Sequence, residues 1–378
     1  MSVLTHLTAA QWSAPLAGAV TGVVIGYAVR RARLCSFGAV EDALMAHDWR
    51  RMKVFGLALA IAIILTQYML ASGWLDPAKS SYTPLHMPWL SILIGSLLFG
   101  LGMAYVGTCA FGTLVRLGGG DLRGLVTILI FSLAAYAVLR GALAPARIFL
   151  EHYYLSGPGG AQTSFVDLAA FVSGSSARWM VALSAGLVLG LAALLDRRLW
   201  RAPRLLTAAA SLGLGVAAGW FFTGVAIDPF SQPLPRLESL TFVAPTARAV
   251  FLIANPSDVI TGFGVAVIPG VVAGSFIHAL RAREFRWEAF DDQYEMRRHI
   301  GGAVLMGAGG ILAGGCTIGQ GLTAGSMLSY SWPLAVGGMM IGARMGLGVL
   351  LEGSMLGWVH SRLDRRSRQG NGYKDAGP

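Results

Sequence analysis

The chain has 378 residues, of which 55% are hydrophobic and 13% charged, with 50 glycines and a formal net charge of +10. A soluble domain carries roughly 25% charged residues and about 7% glycine, so this composition excludes a disordered chain, a disulfide-stapled secreted domain and an ordinary cytosolic enzyme. It fits a polytopic membrane protein, where a basic excess reflects cytoplasmic loops rather than affinity for nucleic acid.

In chain order, nine apolar segments are long enough to span a bilayer at about 1.5 Å per residue. They run roughly over 14–29, 53–73, 88–107, 124–142, 179–195, 205–225, 259–280, 300–315 and 332–351. Four shorter apolar pieces, around 35–46, 109–117, 246–254 and 316–329, are too short to span and too apolar for free loops. They read as re-entrant or embedded half-helices, which survive at membrane depth only where protein shelters their backbone. No Lys or Arg precedes the first apolar run, so that run reads as a retained span rather than a signal peptide.

With the N-terminus outside, alternating spans put 22 of the 29 Lys and Arg residues inside and 6 outside, with Arg344 in the last span. That asymmetry predicts a periplasmic N-terminus and a cytoplasmic C-terminus. The expected fold is an all-α polytopic membrane protein of about nine transmembrane helices plus short embedded ones. One membrane domain covers 1–361, with repeat halves of roughly 14–142 and 259–355 joined by helices in 143–258, and a short tail covers 362–378. Tryptophans near the span ends, such as Trp12, Trp74, Trp89, Trp179, Trp200 and Trp332, read as an interfacial belt. Glu41, Asp42 and the stretch from Glu284 to Glu295 read as solvated faces.

An internal repeat is the most informative pattern. At an offset of 207, Cys109 falls on Cys316, and Gly95, Gly100, Gly102, Gly107 and Gly112 fall on Gly302, Gly307, Gly309, Gly314 and Gly319. A weaker block at offset 248 places Gly22 and Gly26 on Gly270 and Gly274, Arg33 on Arg281 and Phe37 on Phe285. In the expected topology the Cys109 and Cys316 loops run in opposite senses, as an inverted repeat requires, whereas the weaker block does not fit that sense. Transporters place substrate at such repeat interfaces, in broken helices.

The two related motifs are Gly107-Thr108-Cys109-Ala110-Phe111-Gly112 and Gly314-Gly315-Cys316-Thr317-Ile318-Gly319. Glycines permit a sharp turn and close helix approach. If a half-helix begins after each cysteine, its N-terminal N–H groups form a site for an anion, and the thiol adds a soft contact. Against this stands plain space-filling, common for buried cysteine; equivalent placement in a repeat favours function for Cys109 and Cys316, and Cys35 stays evenly balanced. Arg344 either attracts an anion, lies at an interface or pairs with an acid. Thr108, Thr317 and Gln320 either donate to substrate or satisfy backbone in the broken helices. Three cysteines without a C-x-x-C pair and seven scattered histidines give neither a disulfide framework nor a metal site, and no cofactor motif or nucleotide-binding loop is present.

The segments RRARLCSFGAVEDAL, GSLLFGLGMAYVGTCAFGTLVRLGGGDLRGL and GGAVLMGAGGILAGGCTIGQGLTAGS resemble the YeeE/YedE family of bacterial membrane proteins, the sulphur transport domain family. The similarity spans about residues 16–355. The resemblance implies thiosulfate uptake across the inner membrane, with the anion passing cysteines at a central constriction, and a transporter rather than an enzyme. It carries over to Cys35, Cys109 and Cys316, with Gly107, Thr108, Gly112, Gly315, Thr317, Gly319 and Gln320 in the matching motifs and Arg344 as a further anion-attracting candidate. It also implies a small cytoplasmic TusA-like sulfur carrier as partner, besides membrane lipid. The alternatives are another sulfur or selenium compound as cargo, or a membrane sulfurtransferase or sulfur-relay component. Thiosulfate is a dianion with a soft terminal sulfur, so a thiolate would repel it and a neutral S–H group suits it. Such donors are weak, and shallow sequential contacts favour passage over retention.

Overall fold

The computed structural model describes residues 9–173, 177–225, 237–254 and 262–353. The helices are α1 (Ala9–Ala32), α2 (Ser36–Met45), α3 (Arg50–Ala71), α4 (Trp89–Val106), α5 (Ala110–Leu117), α6 (Leu122–Leu139), α7 (Ala144–Glu151) and α8 (Phe165–Ser173). They continue as α9 (Ala177–Leu194), α10 (Arg197–Trp200), α11 (Pro203–Val225), α12 (Ala244–Ala254), α13 (Phe263–Arg281), α14 (Gln293–Leu312) and α15 (Ser331–Glu352). Two two-residue strands, His86–Met87 and Leu155–Ser156, pair antiparallel between the helices.

Among the described residues seven helical segments are long and apolar enough to cross a membrane: Ser13–Met45, Arg50–Ala71, Trp89–Leu117, Leu122–Leu139, Pro203–Gly224, Phe263–Arg281 and Ser331–Leu351. The protein is therefore an all-α, multi-pass membrane protein. The other two expected spans are helical but fall short of that measure. In α9 the apolar stretch is Met180–Leu194. Helix α14 begins at Gln293, so Glu295, Arg297, Arg298 and His299 occupy its first two turns and dilute its apolar character. The expected tail, 362–378, lies outside the described residues.

All four short apolar pieces are helical. Three form α2, α5 and α12, and the fourth is helical over 317–326 with a wide π turn at Gly319–Ala324. Each of the three cysteines immediately precedes one of these short helices.

Glycine decides how the long helices pack, because in lipid helix association depends on close van der Waals contact rather than on expulsion of water. A Cβ on Gly102 of α4 would stand 2.6 Å from the Gly302 carbonyl oxygen and 2.7 Å from the Met306 nitrogen of α14. A Cβ on Gly309 would stand 2.6 Å from the carbonyl oxygen of Gly95, and one on Gly95 would meet the backbone of Leu312 and Ala313. These pairings run α4 and α14 antiparallel. In α1, Gly18, Gly22 and Gly26 face Phe263, Val267 and Val271 of α13 in the same order, so those two helices run parallel. The largest fully buried side chains include Phe99, Phe131, Trp220, Phe242 and Phe263. The Trp220 indole N–H donates to Ser326 Oγ at 3.0 Å, tying α11 to the segment after Cys316.

Two expectations need correction. The acidic stretch 284–295 is not simply solvated: Arg123 gathers Asp121, Glu288 and Glu295 at 2.9, 2.7 and 3.2 Å. Leu122 N–H also donates to the Glu288 carbonyl at 2.8 Å, so this corner clasps the start of α6 to the chain before α14. Asp42 likewise pairs with Arg51 at 3.2 Å. Trp74, Trp89 and Trp200 are exposed as a belt would have them, but Trp332 packs against Gly325 and the core. An indole beside a glycine fills space that solvent or lipid would otherwise reach.

Candidate functional site

Three helix N-termini meet where the cysteines lie. Cys35 stands at the N-cap of α2 in an extended conformation, and its Sγ is 3.4 Å from Thr108 Oγ1. Cys109 stands at the N-cap of α5, with its Sγ accepting the Gly112 N–H at 3.3 Å. Cys316 Sγ accepts the Gly319 N–H at 3.4 Å. The Cys109 and Cys316 sulfurs each satisfy one of the orphan donors of the first turn, whereas Cys35 makes no side-chain cap bond. Cys109 and Cys316 are fully buried, and Cys35 is partly buried.

Hydroxyls join the three motifs. Ser36 Oγ lies 2.9 Å from Thr317 Oγ1, so the residues that follow Cys35 and Cys316 touch. The Cys109 thiol is within reach of both Cys35 and Ser36. The fold thus gathers Cys35, Ser36, Thr108, Cys109, Cys316 and Thr317. Gly107 and Gly314 sit at φ +73° and +70°, the left-handed turns that let α4 and α14 end before each cysteine. The Gly107 carbonyl accepts from Arg116 Nη2 at 3.1 Å. Gly315 lies against Gln320, whose Nε2 donates to the Ala313 carbonyl at 2.7 Å while its Oε1 accepts from Ser331 Oγ at 3.0 Å. Both ends of the Gln320 amide are therefore engaged by protein. Arg344 is half-buried on α15, next to Ala343, which packs on Gly100 of α4.

One cavity opens beside the cluster and a second lies elsewhere among the described residues. The first, of about 400 Å³, is mostly apolar and is lined by Ser36, Thr317, Met103, Met339 and Lys53, whose ammonium pairs with Asp196 at 2.8 Å. The other, of about 350 Å³, is lined by Gln67, Thr83, Gln162, Ser164, Asp167 and Met327. Where α13 ends, Arg33 meets Glu284 at 3.0 Å and holds its carboxyl below the usual carboxylate range. Among the described residues no cluster of three or more His, Cys, Asp or Glu is placed to hold a metal.

Sequence reasoning gave no role to Ser36, Tyr82, Thr241 or Phe242. The Tyr82 and Thr241 hydroxyls face Gly319, the Phe242 backbone reaches the Cys316 sulfur, and the Phe242 ring packs 4.7 Å from that of Phe111. Tyr82, Thr241 and Phe242 come from non-helical segments with no periodic signal. Ser36 was visible only as the residue after Cys35.

Thiols, hydroxyls and helix N-termini gathered in this way are groups that can receive an anion with a soft atom. The sulphur transport family model matches residues 31–345. The chain belongs to that family. Membership of the sulphur transport family makes it a membrane transporter rather than an enzyme. A relative from Escherichia coli (strain K12), named thiosulfate transporter TsuA, is 28% identical over 342 residues, covering 86% of this chain and 92% of the relative. One of the same name from Spirochaeta thermophila is 26% identical over 329 residues, covering 84% of this chain and 93% of the relative.

Proposed function

We propose that this sulphur transport family member takes up thiosulfate through the cysteine cluster. The observation that carries the reading is the meeting of three short-helix N-termini, each fronted by a cysteine, through the contacts of Cys35 with Thr108 and of Ser36 with Thr317. The helix N-termini offset the desolvation of a dianion. Neutral S–H groups of Cys35, Cys109 and Cys316 take its sulfur, with Cys109 as the central contact. Thr108, Thr317 and the small residues Gly107, Gly112, Gly315 and Gly319 shape the passage, while Gln320 braces it and Arg344 adds positive potential from α15.

The reading includes one membrane domain over 1–361, nine crossings of the bacterial inner membrane, a periplasmic N-terminus and a cytoplasmic C-terminus. It includes an inverted repeat relating the Cys109 and Cys316 motifs. The reciprocal packing of Gly95 with Gly309 and of Gly102 with Gly302 supports it, because a two-fold axis across two antiparallel helices produces such exchanged pairs. Beyond lipid, the partner is a small TusA-like sulfur carrier that receives cargo on the cytoplasmic side, and no resident cofactor is needed.

The test is uptake of sulfur-labelled thiosulfate by proteoliposomes containing the purified chain, with sulfate and selenite as competitors. Uptake that neither suppresses is expected. An absence of uptake both in empty vesicles and in vesicles loaded with a TusA-like carrier would overturn the proposal.

A further inference from the structure

Gly112 and Gly319 each stand three residues after a cysteine and give that cysteine's sulfur their N–H. Neither has positive φ, so neither is needed for an unusual backbone. What each supplies is close approach, because a side chain there would collide with the hydroxyls packed against it. Beside Gly112 the vacant Cβ position faces Thr108 Oγ1 and lies 3.5 Å from Cys35 Sγ. Beside Gly319 it lies 2.6 Å from Thr241 Oγ1 and 3.1 Å from the Tyr82 hydroxyl. The same arrangement therefore occurs twice, a threonine hydroxyl and a second hydrogen donor facing a glycine near a thiol. On one side the second donor is a thiol, and on the other it is a phenol.

Tyr82 and Thr241 reach Gly319 from two segments outside the helices, 72–88 and 237–243. Both segments are pinned. Ser329 Oγ donates to the Tyr82 carbonyl at 2.6 Å, Thr323 Oγ1 donates to the Leu240 carbonyl at 2.6 Å, and Ser80 bridges to Leu237. The Tyr82 ring is 7% exposed and meets Trp220 edge-on at 6.3 Å, while its hydroxyl is within reach of Thr241. Thr241 is only partly buried, and Thr83, the neighbour of Tyr82, lines the cavity of about 350 Å³.

We infer that Tyr82 and Thr241 form the oxygen-binding half of the substrate site, donating to the sulfonate oxygens while Cys316 meets the terminal sulfur. The inference rests on thiosulfate being the cargo. Hydroxyls are better donors than thiols, and a bond to an anionic oxygen is stronger than one between neutral groups. The Cys316 side of the cluster thus grips the hard end of the anion, and the Cys35–Cys109 side offers mainly the weaker contacts that suit release.

The experiment compares wild type with Tyr82→Phe and Thr241→Val in proteoliposome uptake and in thermal unfolding of the purified chain with added thiosulfate. Tyr82→Phe keeps the ring against Trp220. Losing one bond to a charged oxygen should raise the KM for thiosulfate about tenfold or more, a larger change than any fall in Vmax. The thiosulfate concentration that gives a fixed rise in Tm should increase by a similar factor. Thr241→Val should act in the same direction. If both variants fold, and their KM and thiosulfate-dependent Tm match wild type, this inference is overturned and the transport reading stands. If wild type neither transports thiosulfate nor is stabilised by it, both are overturned.

Discussion

Gly112→Ala puts a methyl group into the cysteine cluster beside Thr108 and Cys35. Its position is helical, so the backbone tolerates the change and gains about 0.5–1 kcal/mol from alanine's smaller loss of conformational freedom. The methyl would overlap Thr108 Oγ1 and stand 3.5 Å from Cys35 Sγ. Thr108 must rotate away, which breaks its 3.4 Å contact with Cys35, and overpacking of this kind costs about 1–3 kcal/mol. The net destabilisation is therefore about 0–2.5 kcal/mol, too little to unfold the chain. Transport should suffer more, because the methyl stands against the Cys35 thiol and displaces Thr108. A barrier higher by about 1.4–2.8 kcal/mol slows uptake about 10- to 100-fold. The assay is the initial rate of labelled thiosulfate uptake, with Tm measured on the same preparation. Thr108→Ala removes the overlapping oxygen, so the double variant should recover part of the lost rate, and the cycle should show coupling. Wild-type uptake by Gly112→Ala, or a double variant no faster than the first, would refute the reasoning.

Three further outcomes follow from the same geometry. Cys109→Ala should abolish uptake while costing about 1 kcal/mol of stability through loss of the cap to Gly112, measured as uptake and Tm side by side. Arg123→Ala leaves Asp121, Glu288 and Glu295 without their shared cation and should lower Tm by several degrees, with 1 kcal/mol corresponding to about 2–4 °C in a chain of this scale. Asp48 is held at about 2 by the hydrogen bonds from Arg50, below its unfolded value near 3.9. Its stabilising effect is therefore present above pH 4 and lost as pH falls towards 2. At this exposed pair, Asp48→Asn should lower Tm slightly at pH 7 and low salt, and the difference from wild type should vanish in a thermal scan at pH 2.

The parts of the fold that depend on periodicity and small residues were legible in the sequence. Gly95, Gly102, Gly302 and Gly309, four of the glycines that align at offset 207, bring α4 and α14 into backbone contact, because lipid-embedded packing selects small residues where backbones meet. The short apolar pieces were readable as embedded helices because they were too apolar for loops. What the sequence hid depends on tertiary folding-in. Tyr82 and Thr241 sit in irregular segments whose composition resembles any loop, and nothing local says that both turn inward to Gly319. The clasp around Arg123 brings together residues up to 172 positions apart. Gln320 read as either a donor to substrate or a brace for the broken helix, and its amide bonds to the Ala313 carbonyl and to Ser331, a partner pair that the sequence did not name.

The glycine seam between α4 and α14 also limits how the molecule can move. Gly95 and Gly102 are seven residues apart, two helical turns, and each vacancy is filled by backbone of the opposite helix. A slip of one residue would carry a side chain of α4 into backbone that tolerates only a hydrogen atom, so the pair has one register and behaves as a rigid post. Rocking one half of the bundle against the other would have to break that post. A motion that left this seam intact would have to fall on other elements, such as the short helices α2, α5 and 317–326.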